Sequence, residues 1–117
     1  MTQKKKILVV DDEADFVASL AELLEDEGYV VETAKDGREA LSRLAGASPP
    51  SAVILDLMMP TMGGAEVFSA MRADPRLASI PVILSTSDPA QVPPGALFLR
   101  KPISVDRMLE TVQRLTS

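Results

Sequence analysis

Histidine and cysteine are both absent from the 117 residues. Ser-His-Asp and Cys-His triads, His-ligated zinc, thiolate metal sites, disulfides and thiol switches are therefore excluded. Any chemistry must come from carboxylates, hydroxyls, amines or the backbone. Long apolar runs are also missing, and nothing approaches the roughly 20 residues that span a bilayer. The basic start is followed only by Ile7-Leu8-Val9-Val10 before a run of acids, too short for a signal-peptide apolar region. The chain is thus expected to be cytoplasmic. Basic charge is in deficit, the net charge being −5, which disfavours direct binding of nucleic acid or an anionic membrane surface. The short Lys4-Lys5-Lys6 run reads as a solvated terminus.

What is present is globular. A hydrophobic content of 46% over this length predicts one domain, residues 1–117, burying roughly two thirds of its extended-chain surface. Five short apolar runs, Ile7 to Val10, Val30 to Ala34, Ala52 to Leu55, Val82 to Leu84 and Ala96 to Leu99, each suit a strand. The first, third and fourth are continuous rather than alternating, as in strands of a parallel sheet covered on both faces.

Helical spacing fills the intervals. Phe16, Leu20, Leu23 and Leu24 share one face and Gly28 stands beyond as a stop. Asp36-Gly37-Arg38-Glu39 resembles a capping box opening a helix with Ala40, Leu41 and Leu44. Val67, Phe68 and Met71 mark a third helix after Gly63-Gly64. Ser104 caps a last one carrying Val105, Met108, Leu109, Val112 and Leu115. Alternation of strand and helix predicts right-handed crossovers and an α/β doubly wound parallel sheet.

One crossover departs from this pattern. Only ten residues, Ser87 to Ala96, separate strands four and five, and they include Pro89, Pro93, Pro94 and Gly95. Asp88 can cap a turn with Pro89 at its first position, but Val92 before Pro93 is pushed out of the helical region. The fourth connecting helix is thus expected to be absent or reduced to about one turn. Its loss should leave strand surface near Leu84 and Leu97 partly uncovered, and residues 87–96 are expected to be a mobile loop that orders on phosphorylation or partner binding.

In a doubly wound sheet, ligands bind beyond the carboxyl ends of the strands. There the sequence places Asp11 and Asp12, then Asp56, then Ser85, Thr86 and Ser87, then Arg100 and Lys101. Clustered carboxylates repel, so they must protonate in part or bind a cation, and oxygen-only ligands suit Mg²⁺. Three carboxylates, one divalent cation and Lys101 balance to neutrality, leaving a site poised for a dianion. Phosphoryl transfer to a carboxylate needs a metal, an opposing cation and a hydroxyl donor, roles that Asp12, Lys101 and Thr86 can fill.

Ile7 to Glu13, Leu55-Asp56-Leu57-Met58-Met59-Pro60 with Gly63-Gly64, Pro81 to Thr86, and Lys101-Pro102 together resemble the receiver domain of two-component response regulators over essentially the whole chain. The resemblance implies a five-stranded sheet in the flavodoxin-like order 2-1-3-4-5. It also implies a phosphoacceptor, not an enzyme in the ordinary sense, that assists its own phosphorylation and dephosphorylation. By the same resemblance, Asp56 takes the phosphoryl group from a histidine kinase or histidine phosphotransfer protein. Asp12 ligates Mg²⁺ directly, Asp11 largely through water, and the Met58 carbonyl completes the protein's metal ligands. Lys101 pairs with the phosphoryl group across a commonly cis Lys101-Pro102 bond. Thr86 moves onto a phosphoryl oxygen and Phe98 turns inward with it. Output then passes to a downstream protein or a homodimer that the sequence does not name.

Ser87 stands where the family commonly has a small apolar residue, and its hydroxyl is expected to cap the loop, the alternative being that it binds the phosphoryl group. Apolar Met58 should neither position nor activate water, which predicts slow to moderate loss of the phosphoryl group. A haloacid-dehalogenase-type phosphatase needs a second acid two residues after its nucleophile, where Met58 stands. A nucleotide site needs a Gly-rich loop after strand one, which is missing. The remaining alternative is a pseudo-receiver that binds partners without being phosphorylated. The sequence given ends on its last helix, so a stand-alone regulator and a receiver within a longer protein both stay open.

Overall fold

The computed structural model describes residues 4–46 and 48–117. Strands β1 Lys6–Val10, β2 Val30–Ala34, β3 Ala52–Asp56, β4 Val82–Thr86 and β5 Phe98–Arg100 alternate with helices α1 Ala14–Asp26, α2 Gly37–Leu44, α3 Gly64–Ala73 and α4 Val105–Thr116. All strand pairs are parallel and the order is β2-β1-β3-β4-β5, as expected.

Successive strand residues feed two separate cores. Leu8, Val10, Val53, Leu55 and Leu84 pack with Ala40 and Leu44 of α2 and Val67 and Met71 of α3. Ile7, Val9, Ile54 and Ile83 pack with Leu20 and Leu24 of α1 and Met108 and Val112 of α4. With helices on both faces, neither set of alternate positions meets water, which is why these runs are apolar throughout.

Local signals set the helix ends. The Asp36 carboxylate accepts from the Glu39 N–H at 2.8 Å, while the Glu39 carboxylate faces Arg43 one turn on at 4.0 Å, so only half of the capping box forms. Ser104 accepts from the Arg107 N–H at 3.3 Å and caps α4. Gly28 follows α1 with φ of 94°, a conformation that glycine adopts without steric penalty.

Three details differ from the sequence reading. Lys6 is not part of a solvated terminus, because it opens β1 and pairs with Glu32 at 3.2 Å. Asp56, Thr86 and Arg100 are the last residues of their strands and Ser85 the last but one, rather than residues after them, and β5 starts at Phe98, leaving Ala96 and Leu97 ahead of it. Third, Leu84 is not uncovered. It is fully buried in the α2–α3 core, against which Val92 and Ala96 of the short crossover also pack. Leu97, 39% exposed, does keep the expected gap.

The crossover contains a single 3₁₀ turn, Pro89–Gln91. Asp88 caps it by accepting from the Ala90 N–H at 3.1 Å, and Val92 leaves it with ψ of 128°, the extended conformation a residue before proline prefers.

Candidate functional site

The apolar faces of the central strands run out at one level. The register sets Val10 beside Leu55 and Asp56 beside Ser85, so the residues that follow the hydrophobic stretches gather at the carboxyl edge of the sheet. Asp11 leaves β1 with its N–H on the Ala34 carbonyl at 3.0 Å. Its Oδ1 accepts from the Glu13 N–H at 2.9 Å, and its Oδ2 is buried with no hydrogen-bond partner. Asp56 closes β3 at 1% exposure, with Oδ1 accepting from the Met58 N–H at 3.1 Å. Lys101, held on β4 by its N–H to the Thr86 carbonyl at 2.8 Å, brings its Nζ to 3.3 Å from Asp56 Oδ2 and 3.6 Å from Asp11 Oδ2. The Lys101-Pro102 bond is cis.

Carboxylate oxygens of Asp11, Asp12 and Asp56 all lie within 4.8 Å of one another. Asp11 and Asp56 are buried, whereas Asp12 stands at the exposed rim. Burial pushes the Asp56 carboxyl up to about 6, with the neighbouring Asp11 adding to it and the Met58 N–H and Lys101 opposing. Asp11 is raised for the same first reason, burial. Burial would lower Lys101, but the Asp56 and Asp11 carboxylates outweigh it and hold the ammonium above its usual range. Oxygen-only donors, one of them buried and unpartnered, fit a hard divalent cation.

The segment between β3 and α3 is drawn tight against the site. The Gly64 N–H donates to the Leu57 carbonyl at 3.0 Å, and a Cβ on Gly64 would collide with the Asp56 carbonyl oxygen and come within 2.9 Å of the Leu57 Cα. Glycine is required there for α3 to start directly beneath the Asp56 backbone. Thr61, in the same segment, takes φ of 69°.

The remaining sequence-predicted residues are placed as follows. Thr86 is 1% exposed, and its hydroxyl is tied to Asp88, accepting from the N–H at 3.0 Å and donating to the carbonyl at 3.3 Å. Phe98 is 37% exposed on the edge strand. Leu84 pairs with Phe98 and Thr86 with Arg100, so Thr86 and Phe98 share one face of the sheet but do not meet at the carboxylates. The Met58 side chain is 61% exposed at the mouth. Ser87 is exposed and lines a cleft of about 390 Å³ with Glu13, Phe16, Lys101, Pro102 and Ile103. Asp88, not Ser87, caps the following turn, correcting the expectation for Ser87.

Two features had no role in the sequence reading. Glu13 Oε1 lies 3.3 Å from Lys101 Nζ, a contact between residues 88 apart in sequence. The only signal for it was a third acid in the Asp11-Asp12-Glu13 run. The Ser85 hydroxyl, fully buried beside Asp56 in register, has no hydrogen-bond partner.

Residues 7–113 match the response regulator receiver domain family. The chain belongs to that family. This receiver domain is 40% identical over 111 residues to a response regulator receiver protein of Anaeromyxobacter sp., a match covering 91% of this chain and 46% of the relative. It is 31% identical over 116 residues to the polar-differentiation response regulator DivK of Brucella anthropi, covering 93% and 94%. The receiver domain of a signal transduction histidine kinase from Syntrophus aciditrophicus superposes with a TM-score of 0.86 at 35% identity, covering 96% of this chain and 89% of that one. The chemotaxis response regulator CheY4 of Vibrio cholerae gives 0.84 at 33% identity, covering 97% and 99%. This chain spans less than half the length of the first curated relatives it matches. Receiver domains are signalling domains rather than enzymes in the ordinary sense, with aspartate phosphorylation and Mg²⁺ binding as general features. Among the described residues, no helix is long and apolar enough to cross a membrane.

Proposed function

We propose that this receiver accepts a phosphoryl group on Asp56 from the phosphohistidine of a histidine kinase or histidine phosphotransfer protein. The observation that carries this reading is the Asp56 carboxylate itself, buried, 3.3 Å from the Lys101 ammonium and grouped with Asp11 and Asp12. One Asp56 oxygen attacks phosphorus, the P–N bond breaks, and its electron pair leaves with the imidazole of the partner. Because the carboxyl sits at about 6, Asp56 is mostly ionised at neutral pH yet more basic than an ordinary carboxylate, which favours it as a nucleophile. Lys101 offers donors to the incoming oxygens, and the Met58 N–H orients Asp56 through Oδ1. Asp11, Asp12, Asp56 and the Met58 carbonyl would hold Mg²⁺, which when bound neutralises charge on the transferring group.

Signal output on this reading runs through Thr86. Its hydroxyl leaves Asp88 for a phosphoryl oxygen, the crossover over residues 87–96 rearranges, and Phe98, on the same sheet face, moves into the space released. A downstream protein or a second copy of the chain then reads the altered crossover and β5. Incubation with acetyl phosphate and Mg²⁺ followed by intact mass measurement should show gain of one phosphoryl group, abolished in Asp56→Asn. No gain in the wild type would instead favour a module that binds partners without phosphorylation. The exposed, apolar Met58 side chain and the engaged Asp88 carboxylate leave attacking water unassisted, so the acyl phosphate should persist for minutes. A lifetime of seconds would contradict this.

A further inference from the structure

Resting on the phosphoacceptor reading, we infer that Glu13 is a positioning residue that occupies the Lys101 donor needed by the phosphoryl group, and that it is the partner Lys101 gives up when that group arrives. An ammonium has three N–H donors. Lys101 Nζ already has three carboxylate neighbours, Asp56 at 3.3 Å, Asp11 at 3.6 Å and Glu13 at 3.3 Å. The Asp11 contact is an ion pair without a hydrogen bond, whereas Glu13 accepts one, so a dianion bonded to Asp56 competes with Glu13 for the Lys101 donors.

The three are not equally free to leave. The side chains of Asp56 and Asp11 are 2% and 1% exposed and fixed by the N–H groups of Met58 and Glu13, whereas the Glu13 side chain is 65% exposed. The Glu13 backbone stays anchored through its N–H to Asp11, so only its side chain needs to swing, and the cleft of about 390 Å³ that it lines with Phe16 and Ile103 offers the room. Before transfer, Glu13 keeps the long Lys101 side chain extended toward the site. During transfer it competes with the phosphoryl oxygens, and the lost contact is a partly solvated ion pair of modest strength.

The test measures binding of beryllofluoride, a phosphoryl mimic, in the presence of Mg²⁺ to the wild type, Glu13→Gln and Glu13→Asp, with Mg²⁺ affinity alone measured in parallel. Glu13→Gln removes the competing charge, and Glu13→Asp keeps the charge but withdraws it from Lys101 by one methylene. Both variants should bind beryllofluoride about two- to fivefold more tightly. Mg²⁺ affinity should fall in Glu13→Gln and hold in Glu13→Asp, since only the former loses a negative charge near the metal ligands. Tightening in Glu13→Gln alone would mean a general charge effect and would overturn the inference, as would no tightening in either. Failure of the wild type to bind the mimic at all would overturn the phosphoacceptor reading instead, so the two failures are distinguishable.

Discussion

Ser85 and Thr61 are each costly where they stand. Burying a hydroxyl without a partner costs about 1–3 kcal/mol, and Ser85 does so beside Asp56. Ser85→Ala should raise the free energy of unfolding by about 1 kcal/mol in urea titration, and a decrease would show that the hydroxyl has a stabilising partner in solution. A β-branched residue at φ of 69° is disfavoured, whereas asparagine tolerates that region. Thr61→Asn should add about 1 kcal/mol by the same measurement. Ser85 stands beside Asp56 and Thr61 in the segment that follows it, and strained or unsatisfied groups tend to collect at functional sites.

At the scale of elements, the crossover over residues 87–96 does with loop packing what a helix does elsewhere in the fold. Its N–H groups at Gln91, Val92 and Ala96 bond to carbonyls within the segment, while Val92 and Ala96 pack on the core that contains Leu84. The same segment holds the Thr86 hydroxyl through Asp88, so a change at Thr86 must disturb the start of the turn. Hydrogen exchange with and without beryllofluoride should show altered protection at Asp88 to Val92, and identical strong protection in both states would refute this coupling. Gly64 makes the corresponding point on the other side of the site. Gly64→Ala drives a methyl group into the Asp56 backbone and should destabilise the fold by about 2 kcal/mol or more, with lower acyl phosphate yield. A fully stable, normally phosphorylated variant would show that the α3 start can shift freely.

Across the whole molecule, the buried acids set a pH dependence opposite to the usual one for carboxylates. The Asp56 carboxyl rises from 3.8 to about 6 on folding, so between these values the folded chain holds the proton more tightly than the unfolded chain. This contribution is present at low pH and is lost as pH rises through about 6, a loss of about 3 kcal/mol at most. Without divalent cation, Asp56→Asn should therefore be more stable than the wild type at pH 7.5, with the gap closing near pH 4 and narrowing when Mg²⁺ is added. Chemical denaturation at the two pH values checks this, and a gap independent of pH would rule it out.

Apolar runs and glycine or proline punctuation make most of this fold legible in one dimension, because strands covered on both faces need unbroken hydrophobic stretches. Ile7 to Val10 and Ala52 to Leu55 mark such strands, and Ser87 to Ala96 is too short and proline-rich for a helix. Asp11, Asp12, Asp56, Thr86 and Lys101 are legible for a related reason: each lies where an apolar run ends, and such ends meet at one edge of a parallel sheet. Tertiary structure alone decided which side chains touch. That Glu13 holds Lys101, that Val92 and Ala96 pack on the core containing Leu84, and that Gly64 lies against the Asp56 backbone all depend on distances in space that the order of residues does not fix. Hydrophobic periodicity records which face of an element is buried, but not which partner meets it or how closely.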